Sequence, residues 1–343
     1  MTKQLFTGLF VLATVSIMTG SLTMADDLQV RGEAEIVPVV AKLETLWEEG
    51  GFTEGAAAGP DGNMYFSDFA QPFDSGPARI MKFDPNSGKV SVHCPNSRMG
   101  NGLMFNADGR LFACCASPLG GARALVEILP DGKVKPIIEK FEGKRFNSPN
   151  DLCIDSKGRI YFSDPKYVGP EEMELTSFDV YRYDPDGSIR IATKEVDKPN
   201  GVILSPDGKT LYVAETDNGS AKADIVKTPP KPGRMTLNAF RVKKDGSLGK
   251  KKVLHNFGKE TGIDGMTVDV KGHIYAAVRS ASRFGIVVFS PEGKEKAYIE
   301  TPKLPTNCCF GIGKESKTLY ITAGSGFYRI KLGIDGHHSV SKK

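Results

Sequence analysis

Short apolar strands and glycine turns alternate along most of this chain. At intervals of roughly 45 to 65 residues, the length of a propeller blade, a tight turn is followed by a Tyr- or Phe-rich stretch, in GPDGNMYFSDF, NADGRLFACC, DSKGRIYFSDP, SPDGKTLYVAET, DVKGHIYAAV and KESKTLYITA. Each segment is typical of a β-hairpin. Apolar and polar residues then alternate in phrases such as DVYRYDPDGSIRIA, which indicates a third and a fourth strand. The pattern predicts an all-β, six-bladed β-propeller.

The region before the first repeat predicts how the ring closes. The phrase EIVPVVAKLETLW, residues 35–47, precedes that repeat, and the last repeat, ending GFYRIKLGIDG, lacks a fourth strand. We expect the N-terminal strand to complete the last blade, because a closed ring leaves no sheet edge unpaired. The predicted organisation is a signal peptide at residues 1–25, one propeller domain at 33–336 and a C-terminal tail at 337–343.

An oxygen-bearing side chain stands at the start of the first strand of every repeat. The six residues are Glu54, Asn101, Asn150, Asn200, Asp264 and Asn307. In the first five repeats a turn glycine follows eight residues later. Any single Asn or Asp before Gly could be a turn former that caps the local backbone. The shared register favours another interpretation, because the innermost strands of a propeller line its channel and their starts meet at one mouth.

The chemistry of this set points to a hard metal ion. Glu54 and Asp264 would supply two negative charges, and the asparagines would supply neutral carbonyl oxygens. All-oxygen sets of this charge suit Ca²⁺ first and Mg²⁺ or Mn²⁺ next, with Zn²⁺ as a further alternative. We therefore expect one divalent ion with coordination places left for water or a substrate.

The N-terminus predicts export. Lys3 precedes an apolar run at residues 5–18, and small residues at Thr23 and Ala25 offer a cleavage site before Asp26. We expect a periplasmic or secreted protein with no membrane span after signal removal; an uncleaved membrane anchor is the alternative. The six cysteines lie mostly within apolar strand patterns, which favours buried thiols over a disulfide framework.

The charge and the absence of other motifs narrow the range of expected binding partners and mechanisms. The chain has 45 basic and 41 acidic residues, a net charge of +4, without a basic block that would indicate nucleic-acid binding. None of the five histidines lies in the donor register, and no GxSxG sequence offers a serine nucleophile. We expect a small-molecule substrate, no nucleic acid, and a monomer or weak homo-oligomer.

Four phrases carry a resemblance to a known family: KLETLWEEGGFTEGAAAGPDGNMYFSD, RFNSPNDLCIDSKGRIYFSDPKY, KPNGVILSPDGKTLYVAET and GIDGMTVDVKGHIYAA. The chain resembles the senescence marker protein, gluconolactonase and luciferin-regenerating enzyme family over nearly all of its length after the signal. The resemblance implies a six-bladed propeller with a divalent metal, usually calcium, at the channel mouth. It also implies hydrolysis of lactones.

The resemblance divides the six donors. It matches Glu54, Asn200 and Asp264 to the core metal ligands. It matches Asn150 to a residue that ligates the metal in some members and contacts it through water or substrate in others. Asn101 and Asn307 remain as candidates that line the pocket and bind substrate. Tyr167, near the predicted rim, is a candidate for stacking on a sugar ring.

The expected function is metal-dependent hydrolysis of a sugar lactone such as gluconolactone. The metal would polarise the carbonyl and activate water. Asp264 is the candidate catalytic base, although a metal-bound carboxylate is a weak base and Asp264 could be a ligand only. Two alternatives stay open: a phosphotriesterase-like hydrolase that uses the same site, and a non-enzymatic propeller that binds a ligand.

Overall fold

The structure, a computed structural model, describes residues 28–71, 75–220 and 231–338. The predicted signal peptide lies outside the described residues, as does the tail beyond residue 338, so export remains a prediction. In the part of the chain that is described, no helix is long and apolar enough to cross a membrane. Apart from two single-turn 3₁₀ segments, Pro118–Gly120 and Gly313–Glu315, the regular structure of these residues is β-strand.

Six antiparallel sheets follow one another along the chain, and each forms one blade. The strands of the first three blades, in order, are β3 (Phe52–Ala58), β4 (Met64–Phe69), β5 (Arg79–Asp84) and β6 (Lys89–Cys94); β7 (Gly100–Phe105), β8 (Leu111–Cys115), β9 (Ala124–Ile128) and β10 (Val134–Ile138); β13 (Leu152–Ile154), β14 (Ile160–Ser163), β15 (Val180–Tyr183) and β16 (Ile189–Thr193). A small hairpin, β11 (Lys140–Phe141) and β12 (Lys144–Arg145), lies between the second and third blades.

The fifth and sixth blades each include one N-terminal strand, β1 (Val30–Gly32) and β2 (Leu43–Trp47) respectively. The strands of the last three blades are β17 (Pro199–Leu204), β18 (Thr210–Thr216), β19 (Met235–Val242) and β20 (Leu248–Asn256); β21 (Ile263–Val268), β22 (Ile274–Val278), β23 (Gly285–Phe289), β24 (Glu295–Glu300) and β1; β25 (Pro305–Phe310), β26 (Thr318–Ala323), β27 (Gly326–Lys331) and β2.

The first strand of each blade is the innermost one. Each innermost strand contacts the innermost strands of both neighbouring blades, so that β3, β7, β13, β17, β21 and β25 form a closed ring. This ring surrounds the central channel, and the starts of its six strands lie at one mouth. The six-bladed propeller predicted from the repeats is confirmed.

The N-terminal strand closes the ring as predicted. β2 pairs antiparallel with β27, with Leu43 opposite Ile330 and Trp47 opposite Phe327. Within the predicted stretch 35–47 only the last five residues form the strand, and Pro38 and the turns around it interrupt the earlier part. Aromatic packing joins the blades on either side of the closure, since the rings of Phe66 and Phe327 stack with centroids 4.2 Å apart.

A second N-terminal strand was not predicted. β1 pairs antiparallel with β24 and adds a fifth strand to the outer edge of the fifth blade, with Val30 opposite Ile299. Between β1 and β2 the chain buries Ile36 and Val37 in the core shared by the last two blades. A three-residue strand is too short to show the alternation of apolar and polar residues by which strands are recognised.

The recurring turn glycines adopt the conformation that makes them necessary. Gly62, Gly109, Gly158, Gly208 and Gly272 have φ angles of 80°, 77°, 77°, 64° and 87°. A residue with a side chain rarely adopts this left-handed conformation, whereas glycine does so at little cost. In each of these five blades, one glycine therefore favours the tight turn between the first two strands.

The cysteines are free thiols. Five of the six are buried and Cys309 is partly buried. Burial raises the pKa of the Cys309 thiol to about 12 and that of Cys115 further. The expectation of buried thiols is confirmed, and their raised pKa makes them poor nucleophiles.

Candidate active site at the channel mouth

A cavity of about 290 Å³ occupies the mouth of the channel where the six inner strands begin. Its lining includes six of the seven residues that the sequence proposed for the site: Glu54, Asn101, Asn150, Asn200, Asp264 and Tyr167. Asn307 is buried and does not line this cavity. The structure therefore brings together residues that lie more than 200 positions apart in the sequence.

The strand pairing is irregular at the candidate donor residues. The register between the first two strands shifts between Glu54 and Ala56 in the first blade, and similar shifts flank Asn101, Asn200 and Asp264. A β-bulge of this kind bends the strand and re-aims one side chain. The donors therefore point away from the regular ladder at the place where the strands reach the mouth.

Glycines beside the donors let neighbouring inner strands approach closely. A Cβ atom on Gly55 would lie 2.1 Å from the carbonyl oxygen of Asn101, and one on Gly201 would lie 2.3 Å from that of Asp264. On Gly265 it would lie 2.1 Å from Cγ of Asn307. Real Cβ atoms do not approach other atoms this closely, so a larger residue would push the next blade away. These glycines thus set the spacing between the donors of adjacent blades.

The two carboxylates of the cavity are buried. Glu54 and Asp264 are 5% and 7% exposed. Burial, and then the negative charge of Asp264, raise the pKa of Glu54 well above its usual value. Burial also raises the pKa of Asp264, although Arg279 and a hydrogen bond from Asn200 oppose the shift. Two buried carboxylates that repel each other make a site in which a cation would be stabilised.

One amide oxygen in the cavity has no partner. Oδ1 of Asn200 is buried and accepts no hydrogen bond within the described ranges. An unpaired buried acceptor costs about 1 to 3 kcal/mol, and a bound cation would remove that cost. Among the residues that the structure describes, no group of three His, Cys, Asp or Glu side chains could hold a metal ion. The candidate donor set therefore depends on amide oxygens to complete it.

Arg279 is a site residue that the sequence interpretation missed. It follows β22 and lines the cavity, where its Nη1 donates to Oδ2 of Asp264 at 2.9 Å and to the carbonyl oxygen of Pro305 at 3.2 Å. The guanidinium carbon lies 6.0 Å from the centre of the Phe52 ring. The available signal was an arginine placed directly after the apolar strand IYAAV, at the channel-mouth end of a blade.

Two of the proposed residues are held by contacts outside the donor set. The hydroxyl of Tyr167 donates to the carbonyl oxygen of Thr216 at 3.0 Å, and the ammonium of Lys198 lies 4.3 Å from the ring centre. Oδ1 of Asn307 accepts from the backbone N–H of Cys308 at 2.8 Å. Tyr167 therefore presents a fixed ring at the cavity wall, whereas the amide oxygen of Asn307 is engaged by its own strand.

A further carboxylate lies directly beside the set. Asp151 is buried and occupies the place that glycine takes in four other blades. Its Oδ2 accepts from the backbone N–H of Val202 at 3.1 Å, and burial raises its pKa to about 7. Asp151 thus ties the third blade to the fourth just beside the cavity.

Comparison with known proteins places the chain in a family. The family model described as "SMP-30/Gluconolactonase/LRE-like region" matches residues 119–325, which is more than half of the chain. The chain belongs to this family. The resemblance seen in its sequence motifs is therefore confirmed.

Individual members of the SMP-30/gluconolactonase family cover most of the chain. A gluconolactonase from Zymomonas mobilis is 29% identical over 324 residues, which is 86% of this chain and 83% of that protein. The solved structure of a gluconolactonase from Xanthomonas campestris is 28% identical, has a TM-score of 0.74, and is matched over 90% of this chain and 96% of its own. A calcium-binding regucalcin from Agrobacterium tumefaciens shares the fold, with a TM-score of 0.64 at 19% identity, over 87% of this chain and 94% of that structure.

Proposed function

We propose that this protein is a metal-dependent lactonase that opens sugar lactones such as gluconolactone. The observation that carries the proposal is the mouth cavity of about 290 Å³, which is lined by the buried carboxylates of Glu54 and Asp264 and by Asn200, whose amide oxygen is unpaired within the described ranges. The family relationship supports the reaction, because the similar proteins from Zymomonas mobilis and Xanthomonas campestris are gluconolactonases.

The donor chemistry fits one divalent ion, and Ca²⁺ is the ion that it suits best. Glu54, Asn200 and Asp264 would hold it, and Asn150 would contact it directly or through water or substrate. The charges of the two carboxylates balance those of a divalent ion, and oxygen donors are those that Ca²⁺ prefers. The calcium-binding regucalcin has the same fold, but the choice of calcium here rests on the donors of this chain.

The bound ion would polarise the lactone carbonyl and lower the pKa of a water molecule in the cavity. Hydrolysis then forms a bond between the water oxygen and the carbonyl carbon and breaks the bond from that carbon to the ring oxygen. The ring oxygen takes up a proton and becomes a hydroxyl group, so the product is a hydroxy acid. No acyl-enzyme is needed, because water is the nucleophile.

The residues of this chain orient the reactants. Arg279 engages Oδ2 of Asp264 and so fixes the orientation of that carboxylate. Asp264 is our candidate for orienting or deprotonating the attacking water. Asn101 and Asn150 present polar groups to the hydroxyl groups of a sugar, and the ring of Tyr167 offers a flat surface at the wall.

A chelation experiment tests the function. Purified protein is assayed with glucono-1,5-lactone, a panel of other lactones and a panel of phosphotriesters, before and after chelation and after return of Ca²⁺, Mg²⁺, Mn²⁺ or Zn²⁺. We expect chelation to abolish lactone hydrolysis and Ca²⁺ to restore it. Metal-dependent hydrolysis of phosphotriesters alone would instead establish the phosphotriesterase alternative. No metal-sensitive hydrolysis of any compound would favour a ligand-binding propeller.

Two substitutions separate binding from catalysis. We expect Glu54→Gln to weaken Ca²⁺ binding by at least about 100-fold, more than the loss typical of residues outside the coordination shell. Asp264→Asn should lower turnover beyond its effect on Ca²⁺ affinity, measured by calorimetry and by assay at saturating metal. Full turnover of Asp264→Asn with unchanged affinity would leave Asp264 without a catalytic role, and normal affinity of Glu54→Gln would remove Glu54 from the coordination shell.

A further inference from the structure

The cavity at the channel mouth contains an arginine that the proposed reaction with a neutral lactone does not require. Its charged lining residues are Glu54, Asp264 and Arg279. On the proposed function, the two carboxylates balance the charge of the divalent ion. Arg279 then shares Asp264 with the ion, and an anionic group on the substrate would add to the negative charge that stabilises the guanidinium.

Arg279 is held in the cavity rather than directed to solvent. Its backbone N–H donates to the carbonyl oxygen of Gly262 at 2.9 Å, which anchors the residue beside the start of β21. Its side chain is 20% exposed, and Nη1 makes both of its hydrogen bonds to protein. Within the described ranges no hydrogen bond is recorded for Nη2 or Nε. An arginine held in this way keeps donors for a ligand at little further cost in side-chain entropy.

We propose that this site selects lactones that bear a carboxylate on the ring carbon next to the ring oxygen, and that Arg279 binds that carboxylate. In such a lactone only the ring oxygen and one carbon separate the carboxylate carbon from the carbonyl carbon. The carboxylate can therefore reach Arg279 while the carbonyl lies near Asp264, which Arg279 contacts directly. This inference rests on the proposed function and specifies its substrate class.

Charge favours a carboxylate over a phosphate. A carboxylate carries one negative charge, which matches the single guanidinium charge. A phosphate monoester carries about 1.5 to 2 negative charges at neutral pH and would place more negative charge than one guanidinium balances beside Glu54 and Asp264. A planar carboxylate also fits the fork of guanidinium donors, and replacement by lysine would remove that geometry while keeping the charge.

A matched pair of substrates tests the inference. Glucono-1,5-lactone and glucaro-1,5-lactone differ only in a CH₂OH group that is a carboxylate in the second. We expect the Ca²⁺-loaded wild-type protein to favour the carboxylate-bearing lactone by at least about tenfold in kcat/KM, as a charge-assisted hydrogen bond would allow. 6-Phosphoglucono-1,5-lactone is the third substrate and should be the poorer of the two anionic ones.

Variants assign the preference to Arg279. Arg279→Gln should lower the kcat/KM ratio of the carboxylate-bearing to the neutral lactone by about 10- to 100-fold, and Arg279→Lys should recover part of that loss. Because the ratio is measured within one variant, a general loss through Asp264 cancels from it. The control is Arg283→Gln in the same loop, whose side chain pairs with Glu295 away from this cavity and should leave the ratio unchanged.

Binding of the products gives a readout that does not depend on turnover. By calorimetry, glucarate should bind the Ca²⁺-loaded protein at least about tenfold more tightly than gluconate, and Arg279→Gln should remove the difference. Hydrolysis of both lactones with equal kcat/KM, or a preference unchanged in Arg279→Gln, would overturn the inference and leave the proposed function standing. Hydrolysis of no lactone, with or without metal, would overturn the proposed function itself.

Discussion

The two ends of the central channel are built from the same strands but differ in the charged side chains that line them. In β3, Glu54 lines the mouth cavity and Ala57 lines a second cavity of about 340 Å³ at the other end. In β17, Asn200 lines the first and Ile203 the second. The mouth therefore holds two carboxylates and an arginine, whereas the described residues around the other cavity are apolar side chains with a few amide, hydroxyl and imidazole groups.

The difference between the ends follows from strand pairing. At the start of β17 the register shifts between Pro199 and Val202, and Asn200 lies within the shift. Beyond it the ladder is regular, with Ile203 opposite Tyr212. Regular pairing buries apolar side chains between blades, whereas the bulge frees a donor to face the channel. The start of β17 thus supplies a side chain of the candidate site, and the regular part of the same strand supplies buried apolar contacts.

Removal of the N-terminal closure should have the largest effect, because both ends of the channel depend on a closed ring. Deletion of residues 35–47 removes β2 and the buried Ile36, and it exposes the edge of β27. We expect the single cooperative unfolding transition to be lost, as measured by thermal unfolding.

The matched control for the deletion lies in the same segment. Val39 and Val40 are 98% and 85% exposed in the turn before β2. Replacing both with serine should leave the unfolding transition within about 0.5 kcal/mol of the wild type. A deletion variant that melts as sharply and at the same temperature as the parent would show that β2 does not close the ring.

The second prediction sets the two ends of one strand against each other. Ile203→Ala should destabilise the protein by about 2 to 5 kcal/mol through lost burial and a new cavity, with Ca²⁺ affinity unchanged. Asn200→Ala should reduce Ca²⁺ affinity by about 10- to 100-fold and destabilise the metal-free protein less than Ile203→Ala does, since it removes an unpaired buried oxygen together with the hydrogen bond to Asp264. Chemical unfolding and calorimetry measure both. Equal effects of the two variants on either quantity would contradict the separation.

Much of this comparison could be predicted from sequence, because repetition makes it visible. The eight-residue offset between donor and turn glycine identified Glu54, Asn101, Asn150, Asn200 and Asp264, and the structure places all five around one cavity. The N-terminal closure followed from a missing fourth strand. The first inference used a feature that recurs from blade to blade, and the second used a strand that one repeat lacks. A single sequence can reveal both without side-chain coordinates.

The third prediction concerns the spacing of the blades at the mouth. Gly201→Ala adds a Cβ that would lie 2.3 Å from the carbonyl oxygen of Asp264, so the fifth blade must move. We expect about 1 to 3 kcal/mol of destabilisation, typical of overpacking, together with weaker Ca²⁺ binding. The control is Gly249→Ala in β20 of the same blade, where the nearest atom would lie at an ordinary 3.5 Å. Similar Ca²⁺ affinities for the two variants would show that this glycine does not set the donor spacing.

The site residues that the sequence did not predict are not part of the repeat. Arg279 and Asp151 have no counterpart at the equivalent positions of the other blades, so no repeat drew attention to them. Asn307 shares the donor register, yet its amide oxygen bonds to the backbone N–H of Cys308. Register fixes where a side chain begins but not how its end is oriented, because orientation depends on local hydrogen bonds.

The smallest expected effect is a change in pH dependence at the mouth. Asp164 is buried and accepts from the backbone N–H groups of Asn147 and Ser148 at 2.8 and 2.7 Å, which hold the loop before Asn150. Burial raises its pKa from 3.8 to about 7. The folded state therefore retains a proton that the unfolded chain releases. The stability that this carboxyl group contributes is complete below pH 3.8 and is lost as the pH rises toward 7.

We expect Asp164→Asn to flatten the dependence of unfolding free energy on pH between about 4 and 7, since an amide does not titrate. The lost slope is at most about 1.4 kcal/mol per pH unit, the value for one proton. Urea unfolding of the metal-free protein across this range measures it. Asp186→Asn, in an exposed turn where hydrogen bonds from Ser188 lower the pKa, is the control and should keep the wild-type decline in that range. An unchanged slope in Asp164→Asn would mean that Asp164 is already ionised in the folded protein at acidic pH, and that its two backbone hydrogen bonds outweigh its burial.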